Sequence, residues 1–177
     1  MSVDSLPMDK AKRDLLIDRY RQVIDAVTVA LDHTPEDQLD ARPEPKAWSA
    51  REVTHYLADF EMHEGVCLRR MLLENTPVLE RWDPPPYVVE RLHYRRPIRE
   101  SLAVFTACGV SNVDLLRTLG EDQWRRQGNI QRPWTISVEN WLEENVAQLH
   151  NRLMQIINAP TGGRVITDTE HDKKKRS

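Results

Sequence analysis

The sequence predicts an all-α protein, an antiparallel four-helix bundle. Three observations carry that prediction. Four long stretches repeat their apolar residues at helical spacing. Only 6 glycines stand in 177 residues, against 30% charged residues, which disfavours a turn-rich β fold. Each stretch is also amphipathic and needs a partner for its apolar face, which a bundle supplies.

The first helix is expected from about Asp9 to Asp32, with Leu16, Tyr20, Val23, Val27, Ala30 and Leu31 near one face. Thr34-Pro35-Glu36-Asp37 then reads as an N-cap with proline at the first helical position, hence a short extra turn. The second helix has the clearest start. Ser49 is followed three residues later by Glu52, a capping box that satisfies two otherwise orphan amides. Its apolar positions include Val53, Leu57, Phe60, Cys67 and Met71, and it should end near Glu74-Asn75, before Pro77. The stretch from Pro77 to Pro97 contains Pro84-Pro85-Pro86, which no long helix can cross. It reads as a long Pro-rich connection with a helical turn around Val88 to His93. The third helix starts near Pro97, carries Ile98, Leu102, Phe105, Leu116 and Leu119, and stops near Gly120. Gly109 within it marks a close helix approach. The fourth helix is capped by Ser137 and buries Val138, Trp141, Leu142, Leu149, Leu153 and Ile156. The bundle domain is expected over residues 1–160, with a disordered polar and basic tail over 161–177.

A formal net charge of -3 gives no general pull toward nucleic acid or anionic membrane, so neither is an expected partner. Cys67 and Cys108 both fall in helical patterns and suggest no disulfide framework. The opening Met1-Ser2-Val3-Asp4 lacks a basic and apolar leader pattern, and no apolar run approaches the ~18 residues of a membrane span. The expected location is cytoplasmic.

Three constellations could carry chemistry. Glu52…His55 and Glu90…His93 are Glu-x-x-His pairs, the spacing used by di-iron bundles. Glu52 is already explained by the capping box, however, and Glu90 and His93 lie in the Pro-rich connection. The second is the helix-two cluster His55, Tyr56, Asp59, Glu61 and His63, in which 56, 59 and 63 share a face. It lines an interhelical pocket or forms a solvated flank, and pattern alone favours the flank. The third is Gln148 and Arg152, one turn apart beside the buried stripe of helix four. The two thiols lack a sequence-evident histidine partner.

The block Trp48-Ser49-Ala50-Arg51-Glu52-Val53-Thr54-His55-Tyr56-Leu57-Ala58-Asp59-Phe60-Glu61 resembles the signature of the DinB/YfiT superfamily. Further ordered likenesses follow at Asn75 to Leu79, Ser111 to Leu119, Glu121 to Trp124 and Arg152 to Ile156. The resemblance implies a four-helix bundle, often a homodimer. It also implies a divalent metal, such as zinc or nickel, held by one histidine on helix two and two on helix four. The activities it implies are thiol-dependent S-transfer with low-molecular-weight thiols, or metal-dependent hydrolysis.

Carried over residue by residue, the three ligand positions fall on Tyr56, Gln148 and Arg152. His55 is one residue early, about 100° around the helix, and His150 lies between the helix-four positions. Arginine has no free lone pair at neutral pH and repels a cation. The expectation is therefore a degenerate metal site with no cofactor. A binding or interaction protein, or a metal-independent catalyst, would use a pocket of Tyr56, Asp59, Glu61, His63, Gln148 and Arg152. Arg152 would replace the metal's charge, pair with Asp59 or Glu61, or anchor an anionic small molecule or low-molecular-weight thiol. The alternative is a metal-dependent enzyme with displaced ligands His55, Asp59, His63 and His150, holding zinc or nickel.

Overall fold

The computed structural model of the protein describes residues 8–44, 47–80, 82, 96–131 and 134–158. Helix α1 spans Lys10–Asp32, α2 Ala50–Leu73, α3 Arg99–Arg117, α4 Glu121–Trp124 and α5 Val138–Ile157. A 3-10 turn occupies Glu36–Gln38, and strands β1 (Gln127–Gln131) and β2 (Trp134–Ser137) form a hairpin.

Three of the four long helices start at a side-chain cap. The Asp9 side chain accepts from Lys12 N at 2.7 Å and caps α1. At α2, Ser49 Oγ accepts from Glu52 N while Glu52 Oε2 accepts from Ser49 N at 2.7 Å, the reciprocal pair expected. Ser137 accepts from Asn140 N and caps α5. The third helix ends at Arg117 rather than at Gly120, whose amide donates to Gln123 Oε1 and opens the single turn of α4. The turn after Pro35 is 3-10.

In cross-section α1 packs on α3 and α5, and α2 packs on the same two helices. Consecutive helices α1 and α2 therefore sit on a diagonal. Leu16, Tyr20, Ile24, Val27 and Leu31 of α1 meet Leu57, Leu68 and Met71 of α2, Phe105 and Leu116 of α3, and Leu142 and Leu149 of α5 in one core. Gly109 is a close approach, as expected: a Cβ there would stand 2.6 Å from Ile24 Cδ1.

One element departs from the expected all-α chain. The hairpin pairs Gln127 with Ser137 and Gln131 with Trp134, with a bulge between Asn129 and Gln131. Leu79 N donates to Asn129 O, and Asn129 N to Pro77 O, both at 2.7 Å, so the segment after α2 extends the hairpin. Among the described residues no helix is long and apolar enough to cross a membrane. The triple proline, Glu90, His93 and the tail from 161 onward lie outside the described residues.

Candidate functional site

A cavity of about 610 Å3 opens between α2 and α5, beneath the hairpin. From α2 it takes Tyr56, Phe60, Glu64 and Cys67, successive turns of one helical face. From α5 it takes Trp141, Asn145, Gln148 and Arg152 at the same spacing. Ile130, Trp134 and Ile136 of the hairpin form a further wall, joined by Trp82 and Glu80. A pocket of this size with mainly aromatic walls and a few polar groups suits a small ligand.

The cavity has two electrostatically distinct ends. At one, the Arg152 guanidinium carbon lies 4.3 Å from the Tyr56 ring centre and 4.9 Å from that of Trp48. Tyr56 is itself stacked on Phe60 at 5.8 Å and meets Trp82 edge-on at 5.9 Å. Arg152 Nη1 donates to Gln155 Oε1 at 2.9 Å, while its Nε is buried without a hydrogen bond among the described residues. At the other end Glu64 accepts one hydrogen bond, from Trp141 Nε1 at 2.6 Å. Burial pushes the Glu64 carboxyl above the usual range, the Trp141 bond and nearby His63 oppose this, and Glu144 adds to it. Between the ends sits Asn145, only 2% exposed. Neither its Nδ2 nor its Oδ1 has a hydrogen-bond partner among the described residues. Cys67, on the same wall, is a poor nucleophile, because burial lifts its thiol to about 11.

The structure brings together three of the six expected pocket residues, Tyr56, Gln148 and Arg152, which are the three positions the resemblance assigns to metal ligands. The other three are corrected. Glu61 is fully buried on the opposite side of α2, where its Oε2 accepts from Tyr20 Oη at 2.6 Å and Asn112 Nδ2 at 3.1 Å. Asp59 is half-buried but does not line the cavity, and neither acid pairs with Arg152, which stacks on rings instead. His63 stands behind the rim, its Nε2–H donating to Glu80 O at 2.9 Å and its ring 5.2 Å from that of Trp82.

The displaced ligand set is corrected as well. His55 is buried against α3, with Nδ1 2.8 Å from Ser101 Oγ, and His150 is exposed on α5. His55 is turned into α3, His63 is held at Glu80 and Trp82, and His150 is on the exposed side of α5, and among the described residues no three His, Cys, Asp or Glu side chains are grouped to hold a metal ion. Glu52, of the first Glu-x-x-His pair, is held by the cap and by Arg42 at 2.7 Å. Nor do Tyr56, Gln148 and Arg152 fit a divalent metal: one is a fixed cation, one a neutral phenol and one a weak amide ligand.

Sequence reading missed Glu64, Asn145 and Trp82. The first two carried a signal, since Glu64 follows Tyr56 by two turns and Asn145 sits one turn before Gln148's neighbour Leu149.

The class defined by the fold is a helical bundle with a cleft between two helices and a hairpin over it. The family model described as the DinB superfamily matches residues 19–156, and the chain belongs to that superfamily. It is 28% identical to the Bacillus subtilis protein named "Putative metal-dependent hydrolase YfiT" over 146 residues, covering 78% of this chain and 81% of that one. It is 31% identical over 90 residues to the "Putative metal-dependent hydrolase OB0782" of Oceanobacillus iheyensis, covering 51% of this chain. There it spans about half the relative's length, 52%. The solved structure described as "YfiT from Bacillus subtilis is a probable metal-dependent hydrolase with an unusual four-helix bundle topology" superposes with a TM-score of 0.80 at 24% identity. That superposition covers 88% of this chain and 89% of that one, and it shows a shared fold.

Proposed function

We propose that this chain is a DinB-superfamily binding protein, or a metal-independent catalyst, in which Arg152 supplies the positive charge that a metal supplies elsewhere. One observation carries the reading: Arg152 stacks on Tyr56 and Trp48 at the cavity wall, with a buried Nε–H not committed to a hydrogen bond among the described residues. A guanidinium fixed on two rings loses little further entropy when it takes a carboxylate, phosphate or sulfonate. An anionic small molecule, including a carboxylate-bearing low-molecular-weight thiol, is the expected ligand class. Among the cavity carboxyls Glu64 is the one that burial raises above the usual carboxylate range, which makes it the best suited to proton transfer. The family resemblance further supports a homodimer, and the two cysteines in helical patterns fit a reducing cytoplasm; sedimentation and cell fractionation would check these.

The test is metal content by elemental analysis of untagged protein purified without chelator, together with carboxylate binding to the wild type and Arg152→Met. The expected result is a folded chain with far less than one transition metal per molecule and carboxylate binding that is lost in the variant. About one metal per chain would overturn the reading, as would carboxylate affinity unchanged by Arg152→Met.

A further inference from the structure

The end of the cavity away from Arg152 has the chemistry of a cation site. Glu64 is a half-buried carboxyl that takes one neutral hydrogen bond and no ion pair among the described residues. Glu144 and Glu80 stand exposed at the mouth, and among the described residues the cavity lining has no basic side chain but Arg152. An acidic group of this kind would mean little alone. Asn145 adds a second, independent sign: a side chain 2% exposed, facing the cavity, with donor and acceptor both unmet. A buried amide left this way destabilises the fold, and a ligand's polar group would offset that cost.

The surrounding walls select the kind of cation. Trp82, Trp134, Trp141 and Phe60 present ring faces and edges rather than further oxygen ligands. A small, strongly hydrated metal ion gains little from such walls, whereas an organic cation with an apolar body gains both ring attraction and burial. Asn145 and Arg152 are separated by roughly 10 Å along α5 at the usual helical rise. A single molecule engaging both ends must be extended.

We propose that the Glu64 end is a subsite for a primary ammonium group, with Asn145 Oδ1 as its second acceptor, and that the full ligand is an extended zwitterion. The ammonium is seated at Glu64, the apolar chain lies along Trp82 and Trp134, and the anionic end points toward Arg152. The anionic half rests on the Arg152 reading above; the ammonium half does not.

Three six-carbon probes separate the two halves: hexylammonium, hexanoate and 6-aminohexanoate. They are titrated at constant ionic strength against the full chain, with tryptophan fluorescence as the readout. The proteins are wild type, Glu64→Gln, Asn145→Ala and Arg152→Met, each first shown to be folded by circular dichroism. Hexylammonium is expected to bind saturably, to weaken tenfold or more in Glu64→Gln, to weaken severalfold in Asn145→Ala, and to change less than twofold in Arg152→Met. The zwitterion is expected to bind more tightly than either single-charge probe and to weaken in both the Glu64 and Arg152 variants. Absence of saturable hexylammonium binding, or equal binding in wild type, Glu64→Gln and Asn145→Ala, overturns the ammonium subsite whatever hexanoate does. Displacement of hexylammonium by stoichiometric zinc chloride also overturns it, since the carboxylates would then be a metal site. Hexanoate binding that ignores Arg152→Met overturns the Arg152 reading and leaves the ammonium arm standing.

Discussion

Replacing Glu61 by glutamine should flatten the pH dependence of stability. Glu61 is fully buried at the centre of the bundle, where it joins diagonal helices α1 and α2 through Tyr20 and reaches α3 through Asn112. Burial raises its carboxyl from 4.5 to about 8, against the opposing pull of the two hydrogen bonds. The folded protein therefore holds the proton more tightly than the unfolded chain. Its stabilising effect is complete below pH 4.5 and is lost as pH rises toward 8. At about 1.4 kcal/mol per pH unit the full loss is about 5 kcal/mol, and about 3 to 4 kcal/mol of it falls between pH 5 and 8. Glutamine keeps an oxygen to accept from Tyr20 and Asn112 but does not titrate. Urea denaturation at half-unit pH steps, wild type against Glu61→Gln, isolates the term because the other ionisable groups are common to both. The wild type should lose about 3 to 4 kcal/mol more than the variant over that window. Parallel stability curves would refute the reasoning and mean that Glu61 is ionised in the folded bundle with its charge compensated.

Other perturbations test the frame around the cavity. Gly128→Ala places a Cβ 2.7 Å from Leu79 Cγ and 3.2 Å from Met71 Cγ, so either the Leu79 side chain or the hairpin must shift. Thermal melting should show a loss of about 1 to 3 kcal/mol, and an unchanged melting temperature would show that Leu79 has room to move. Cys67, with its thiol at about 11, should alkylate at pH 8 on the order of 100-fold more slowly than an ordinary cysteine, with a rate that keeps rising past pH 10. Mass spectrometry of iodoacetamide-treated protein measures this, and rapid labelling of Cys67 at pH 7 would contradict the buried, protonated thiol.

Helix starts were legible in the sequence because capping is local chemistry. Ser49 with Glu52, and Ser137 before an apolar stripe, need only three or four residues to declare themselves. The hairpin was not legible. Gln127, Gly128 and Asn129 do not alternate with apolar residues, and the bulge after Asn129 breaks what period remains. Its pairing also depends on Pro77 and Leu79, some fifty residues earlier. Only part of the cavity lining was legible in the sequence, for a geometric reason. Tyr56, Gln148 and Arg152 were found through the superfamily resemblance, and they do line one cavity. Glu61 was misplaced because charge was allowed to outweigh register. It follows Leu57 by one turn and precedes Leu68 by two, which puts it on the core face despite its carboxyl. Asn145 went unnoticed because a lone asparagine between Leu142 and Leu149 looks like ordinary helix filler until both of its amide atoms are found buried.

The hairpin has an evolutionary implication. It wall-papers the cavity with Ile130, Trp134 and Ile136 yet lies outside the four-helix frame, fastened at its base by Asn129 to the chain leaving α2 and by Ser137 to the start of α5. Substitutions at Ile130, Trp134 or Ile136 would reshape the ligand's surroundings without disturbing the Glu61 network or the helix contacts beneath. Selection can thus alter what the frame accepts through a few strand positions, and changing those positions is a direct route to altered selectivity on an unchanged bundle.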